Sequence, residues 1–169
     1  MENRISEDSM KNKYGRGSPV WDVKPTKGAN GSYTVTVPMV NIPFTEEDLA
    51  TTISIGMSGR CGFDSMDWND GEFRSARDSL LADGREKVDI TREDVLARLL
   101  LEGGTISLLE ADTEDDWYEI RLPDILRGLA MWAATCEWGG LDGLVNGEGD
   151  FLDADMVFQI AAFGEVMIG

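Results

Sequence analysis

Between Thr105 and Cys136 the apolar residues change their spacing, and few folds accommodate that change. Thr105–Leu109 and Trp117–Ile120 have strand composition and flank the acidic turn Glu110–Asp116, so the segment reads as a β-hairpin. Directly after it, Leu122, Ile125, Leu126, Leu129, Trp132, Ala133 and Cys136 recur at helical spacing, with Pro123 near the first turn where its missing N–H costs nothing. Trp138-Gly139-Gly140 stops that helix. A hairpin running into a one-faced helix must bury both apolar faces against other elements.

The rest of the chain supplies them. Thr45 and Thr91 each stand before clustered acids, Glu46-Glu47-Asp48 and Glu93-Asp94, the pattern of an N-cap followed by carboxylates that suit the helix dipole. Leu49, Ile53 and Met57 then predict a helix over about 46–57, with Gly56 and Gly59 weakening its end. Val95, Leu96, Leu99 and Leu100 form one face of a second helix that Gly103-Gly104 ends. Met156, Ile160 and Phe163 are the inward side of a last helix over 153–163, and Val166–Ile168 is an apolar tail.

Ser32–Val40 alternates like a half-buried strand, Pro38 argues for a sheet edge, and Asn41–Phe44 is expected to turn the chain. Arg60–Asn69 reads as a strand whose alternation breaks near Ser65. Asp70-Gly71 is a turn signal, Phe73–Arg85 a polar excursion, and Lys87–Ile90 a short strand. Hairpin strands and amphipathic helices without βαβ regularity predict an α+β fold, helices packed on one antiparallel sheet.

The chain has 169 residues, 42% of them hydrophobic, enough for one domain with a real core. Residues 1–31 stand apart: six basic and four acidic side chains among Gly, Ser, Asn and Pro read as a flexible polar and basic arm, with Trp21 and Val23 able to pin its end. Residues 32–169 are then a single acidic domain with nine basic and 28 acidic residues, net −19, within a whole-chain charge of −17. Such a body repels phosphate, so no direct nucleic-acid or anionic-membrane binding is expected. There is no histidine, which rules out Ser-His-Asp and Cys-His catalysis, His-ligated zinc and a histidine pH switch. Cys61 and Cys136 are too few for a closed thiolate zinc site and read as reduced thiols, their proximity left open. The first residues lack the apolar core of a signal peptide, and no run approaches the ~18 apolar residues of a membrane span. A cytoplasmic protein is expected.

Carboxylates dominate the candidate sites. Asp112, Glu114, Asp115 and Asp116, flanked by Glu110 and Glu119, sit at the hairpin tip, where they are either solvated, face a basic partner, or hold a hard cation. Asp64, Asp67, Asp70 and Glu72 lie beside Trp68. There a ring anchor with carboxylates suits an interface, and the alternative is Trp68 in the core with the acids outside. Asp142–Asp155 invites an EF-hand reading with Gly147 at the sixth position. It fails at Leu144 and at Asp153, which replace an oxygen ligand and the bidentate Glu. No metal or cofactor is therefore expected. Phosphate-loop and dinucleotide fingerprints are absent, and paired carboxylates among 32 acids carry no specificity, so no enzyme is expected.

The order helix, hairpin with acidic tip (Leu108–Tyr118), helix (Leu122–Cys136), Gly-rich loop and Asp153-Ala-Asp155 ends in Gln159-Ile-Ala-Ala-Phe-Gly-Glu-Val-Met-Ile-Gly169. Over roughly the second half, with a looser match at Thr45–Trp68, this resembles small acidic proteins of phages and mobile elements that end in Phe-Gly-Glu-(Ile/Val)-x-x-Gly. The basic arm lies outside that pattern, and Met167-Ile168 stands where an aromatic residue is expected. The resemblance implies no chemistry. It implies a mobile-element setting, in which small acidic proteins resemble anti-CRISPR or anti-restriction inhibitors. The expectation is a non-catalytic inhibitor, a DNA mimic whose acidic surface engages a basic partner such as a CRISPR effector or other host nuclease in host defence evasion. The alternative is an accessory or structural protein that works through homo-oligomer assembly or a virion or replication partner.

Overall fold

The computed structural model describes residues 26–27, 33–37, 40–58, 62–135 and 151–166. The fold is α+β, as expected, but among the described residues the strands divide into two antiparallel sheets of three rather than one. The first contains β1 (Thr26–Lys27), β2 (Tyr33–Val37) and β3 (Val40–Phe44) in that spatial order. Thr26–Lys27, inside the segment read as an arm, pair with Tyr33 and Thr34. β2 is therefore the central strand and not an edge, and Asn41–Phe44 continue a strand where a turn was expected. Pro43 is compatible with β3 because, among the described residues, this strand pairs on one side only. Pro38 lies outside the described residues.

Helix α1 (Glu46–Ser58) starts as anticipated. The Thr45 amide donates to Asp48 Oδ2 at 2.7 Å and the Asp48 amide donates back to Thr45 Oγ1 at 3.1 Å, which satisfies two amides that no helical carbonyl can reach. Gly56 does not mark decay of this helix. A Cβ there would run into the Phe158 ring, so glycine lets the two helices close.

β4 (Phe63–Trp68) carries a bulge between Phe63 and Ser65, where the alternation breaks in the sequence. The Asp70-Gly71 pair is not a turn, and Phe73–Arg85 is largely not an excursion: α2 runs from Asp70 to Ala82. Asn69 caps it, accepting from the Gly71 and Glu72 amides at 2.8 and 3.1 Å. Lys87–Asp89 form a 3-10 turn instead of a strand, with Val88 left 83% exposed. α3 (Arg92–Leu101) has a full capping box between Thr91 and Asp94 and ends where Gly103 adopts φ +92°.

β5 (Ile106–Glu110) and β6 (Trp117–Ile120) form the anticipated hairpin, and β4 joins it on the other side, giving the order β4-β5-β6. α4 (Leu122–Thr135) follows and α5 (Phe151–Phe163) lies along it. At that crossing Gly128 faces the Val157 carbonyl oxygen, and a Cβ would collide with it. α1 packs on α3 and α5, α2 packs on α3, and α4 lies against the β2–β3 hairpin.

The shared core contains Leu49, Ile53, Leu80, Leu96, Leu99, Ile106, Ile120, Ile125, Leu126 and Leu129, all essentially inaccessible. Burying each such side chain is worth about 1.5–3 kcal/mol. α5 is apolar on most sides because α1, α4 and the second sheet surround it. Its two acids are used internally. Asp153 accepts the Trp132 indole N–H at 3.0 Å, and buried Asp155 accepts the Gly62 amide at 3.1 Å and the Gln159 side-chain amide at 2.6 Å. Residues 142–150 of the EF-hand-like segment, with Cys61, Cys136 and Met167–Gly169, lie outside the described residues. Among the described residues no helix is long and apolar enough to cross a membrane.

Candidate partner-binding surface

Strand alternation divides the β4-β5-β6 sheet into two faces. Ile106, Leu108 and Ile120 are buried on the inner face. Met66 and Trp68 pair with Leu108 and Ile106 and share that face, and Trp68 stacks on Phe73 at 5.3 Å between ring centroids. Trp68 is therefore packed against the core, and the acids beside it are what remains outside. Phe163 of α5 fits between Phe63, stacked at 5.3 Å, and Tyr118, edge-on at 4.8 Å, and so fixes the hairpin end of the sheet to the helices.

The outer face has the opposite parity: Ser65 and Asp67 of β4, Ser107 and Leu109 of β5, Trp117 and Glu119 of β6. Leu109 pairs directly with Trp117, which stays 43% exposed. The sequence places Trp117 in the return strand of the hairpin and assigns it no role. Its signal was available: Glu119 two residues on marks the solvent parity, and Ile120 marks the buried one.

The hairpin tip and the start of β4 are joined. The Ala111 amide donates to the Gly62 carbonyl at 3.0 Å, and the Asp112 amide donates to Asp64 Oδ2 at 3.3 Å. Asp64 therefore stands with Asp112, Glu114, Asp115 and Asp116, all exposed. Asp112 has φ +62°, a left-handed conformation that Asp tolerates better than most residues. Asp67 is exposed on the outer face. Asp70 and Glu72 lie past the far end of β4 on α2, where Glu72 and Glu102 line an open cleft of about 210 Å³. The nine residues singled out in the sequence thus fall into a tip group, the outer-face Asp67, a far-end pair, and the inward Trp68.

The electrostatics follow from where the arginines lie. Residues 62–73 and 99–120 contain no Lys or Arg. Within them Tyr118 donates its hydroxyl to Glu110 Oε2 at 3.0 Å. Burial first, then that hydrogen bond and the charges of Glu110 and Asp116, push the phenol above its ordinary value. Around α1, α2 and α3 three arginines pair with acids. Arg98 meets Glu46 through two nitrogens at 2.9 and 3.0 Å and Asp83 at 2.6 Å, and these contacts push its pKa further up. Arg85 meets Asp94 at 3.1 Å, and Arg92 meets Glu93 at 2.9 Å.

Among the described residues no group of three or more Cys, Asp or Glu side chains is arranged to hold a metal ion. Compared with known protein families, curated proteins and solved structures, the chain matches none of them.

Proposed function

We propose that this protein is a non-catalytic inhibitor whose acidic sheet-and-hairpin surface binds a basic, nucleic-acid-handling protein, in the class of CRISPR effectors and other host defence nucleases. The observation that carries the reading is the cation-free stretch: the tip acids, Asp64, Asp67 and Glu119 gather where no Lys or Arg of β4, β5 or β6 neutralises them. DNA presents one charge per roughly 1.7 Å of axis to positive channels in its effectors. A chain of this length has a radius of gyration of about 15 Å, so one side of it fits such a channel. Clustered carboxylates then meet the Lys and Arg side chains that phosphates otherwise occupy. The mobile-element setting rests on the resemblance of the Phe163–Gly169 tail.

The test is capture from a bacterial lysate on the immobilised full chain at low and at high salt, followed by cleavage assays on what is retained. The expected result is a nuclease or its nucleic-acid-binding subunit, released by salt, whose cleavage of DNA is blocked by added protein. Retention of the chain's own copies alone, or tight binding of the chain to DNA or RNA, contradicts the reading.

A further inference from the structure

We infer that the outer face of the β4-β5-β6 sheet, centred on Trp117 and Leu109, docks an arginine-bearing segment of a basic protein. This rests on the reading above and names what the partner presents. Trp117 stands 43% exposed against Leu109, with Asp67 and Glu119 on the same face, so a large ring and carboxylates are offered together. A guanidinium uses both parts of this surface. Its plane stacks on the electron-rich indole face, and its fork of N–H donors suits carboxylates held beside the ring. A lysine ammonium has the charge without the plane or the fork.

Charge complementarity selects the occupant. A second copy brings another net charge of −17 and the same acids, with no Lys or Arg in these strands to answer them. Edge-to-edge pairing through β4 is opposed by Asp64 and Asp67 and by the bulge. A cationic partner reverses the sign of each of the charge terms. The indole then acts mainly on dissociation, and the surrounding acids on association.

The test titrates the isotopically labelled full chain with an oligoarginine and an oligolysine peptide, following the indole N–H resonances, with Trp117 assigned from its loss in Trp117→Phe. The Trp117 resonance should move to saturation with oligoarginine. Trp117→Ala should weaken that binding about fivefold, equivalent to about 1 kcal/mol, Trp117→Phe less, and oligolysine should bind more weakly than oligoarginine. Glu86→Lys, separated from the sheet by the roughly 20 Å length of α2, should change affinity less than about twofold. A thermal melt of each variant keeps loss of fold distinct from loss of binding. Equal oligoarginine binding by Trp117→Ala overturns this inference while leaving an acidic-surface inhibitor standing. No oligoarginine binding at all overturns both. Self-association that shifts Trp117 with protein concentration assigns the face to a second copy and overturns the inference as well.

Discussion

The helical layer and the second sheet are both acidic, yet they handle their carboxylates in opposite ways. Around α1–α3, Arg98, Arg85 and Arg92 reach Glu46, Asp83, Asp94 and Glu93. Along β4, β5 and the hairpin there is no arginine or lysine to reach. Two ionisable groups report the contrast. At Asp94 burial favours the neutral acid, but hydrogen bonds from Thr91 and the charge of Arg85 outweigh it and hold the carboxyl below its ordinary value. At Tyr118 burial and the neighbouring carboxylates act together and push the phenol up. Among the described residues the fold thus distributes the charge unevenly: ion pairs answer several acids around α1–α3, while β4, β5 and the hairpin carry no cation of their own.

The largest separation should appear in stability. Leu96→Ala, at the centre of the helical layer, should cost about 2–5 kcal/mol in urea unfolding, while Trp117→Ala on the sheet face should cost well under half of that. Comparable losses would mean that the indole is a packing residue and that the two regions do not divide stability from recognition.

Removing the guanidinium that binds two acids comes next. Arg98→Leu leaves Glu46 and Asp83 facing each other without their cation, and should destabilise by about 1–2 kcal/mol, less at high salt because these groups are partly exposed. A neutral effect would show that the helical acids are as free as those of the sheet.

The pH dependence of the two regions should diverge at opposite ends of the scale. Asp94 has a lowered folded pKa, so its contribution is present above the ordinary carboxyl value of about 4 and is lost as pH falls through the folded value. Asp94→Asn should flatten that acid limb and cost about 0.5–2 kcal/mol of cap stability at neutral pH. Tyr118 has a raised folded pKa, so its contribution is present below about 10 and is lost as pH rises through the folded value. Glu110→Gln should bring the phenolate absorbance transition to lower pH. An unmoved transition would remove Glu110 from the account and leave burial and the charge of Asp116 as the causes.

Much of the fold was legible where pattern and caps agree. The hairpin, α1, α3 and α4 follow from alternation, helical spacing and the Thr45 and Thr91 caps. α2 was not, because only Ala76 and Leu80 of its length are fully buried, and because Asp70-Gly71 looks like a turn until Asn69 is seen capping both the Gly71 and Glu72 amides. β3 was hidden by Pro43, which is excluded from central strands but fits a strand paired on one side. At the surface, the identity of the acids was legible and their grouping was not. Asp64 joins the hairpin tip because the Ala111 and Asp112 amides reach Gly62 and Asp64, and strand parity settles the two indoles, turning Trp68 inward and Trp117 out.

The central claim is that recognition belongs to the carboxylates of the sheet and hairpin, and two variants carrying an equal change of net charge test it most directly. One replaces Glu114, Asp115 and Asp116 by Lys. The other replaces Asp78, Glu86 and Asp89, exposed acids on α2 and the 3-10 turn that follows it. Both substitute surface positions, so both should unfold within about 0.5 kcal/mol of the parent chain. In lysate capture at graded salt, the hairpin variant should lose the basic partner and show the weaker salt dependence, while the helical variant retains it nearly as the parent does. Equal retention by both variants, or equal loss from both, would contradict the account, since either result makes the binding indifferent to where the acids stand.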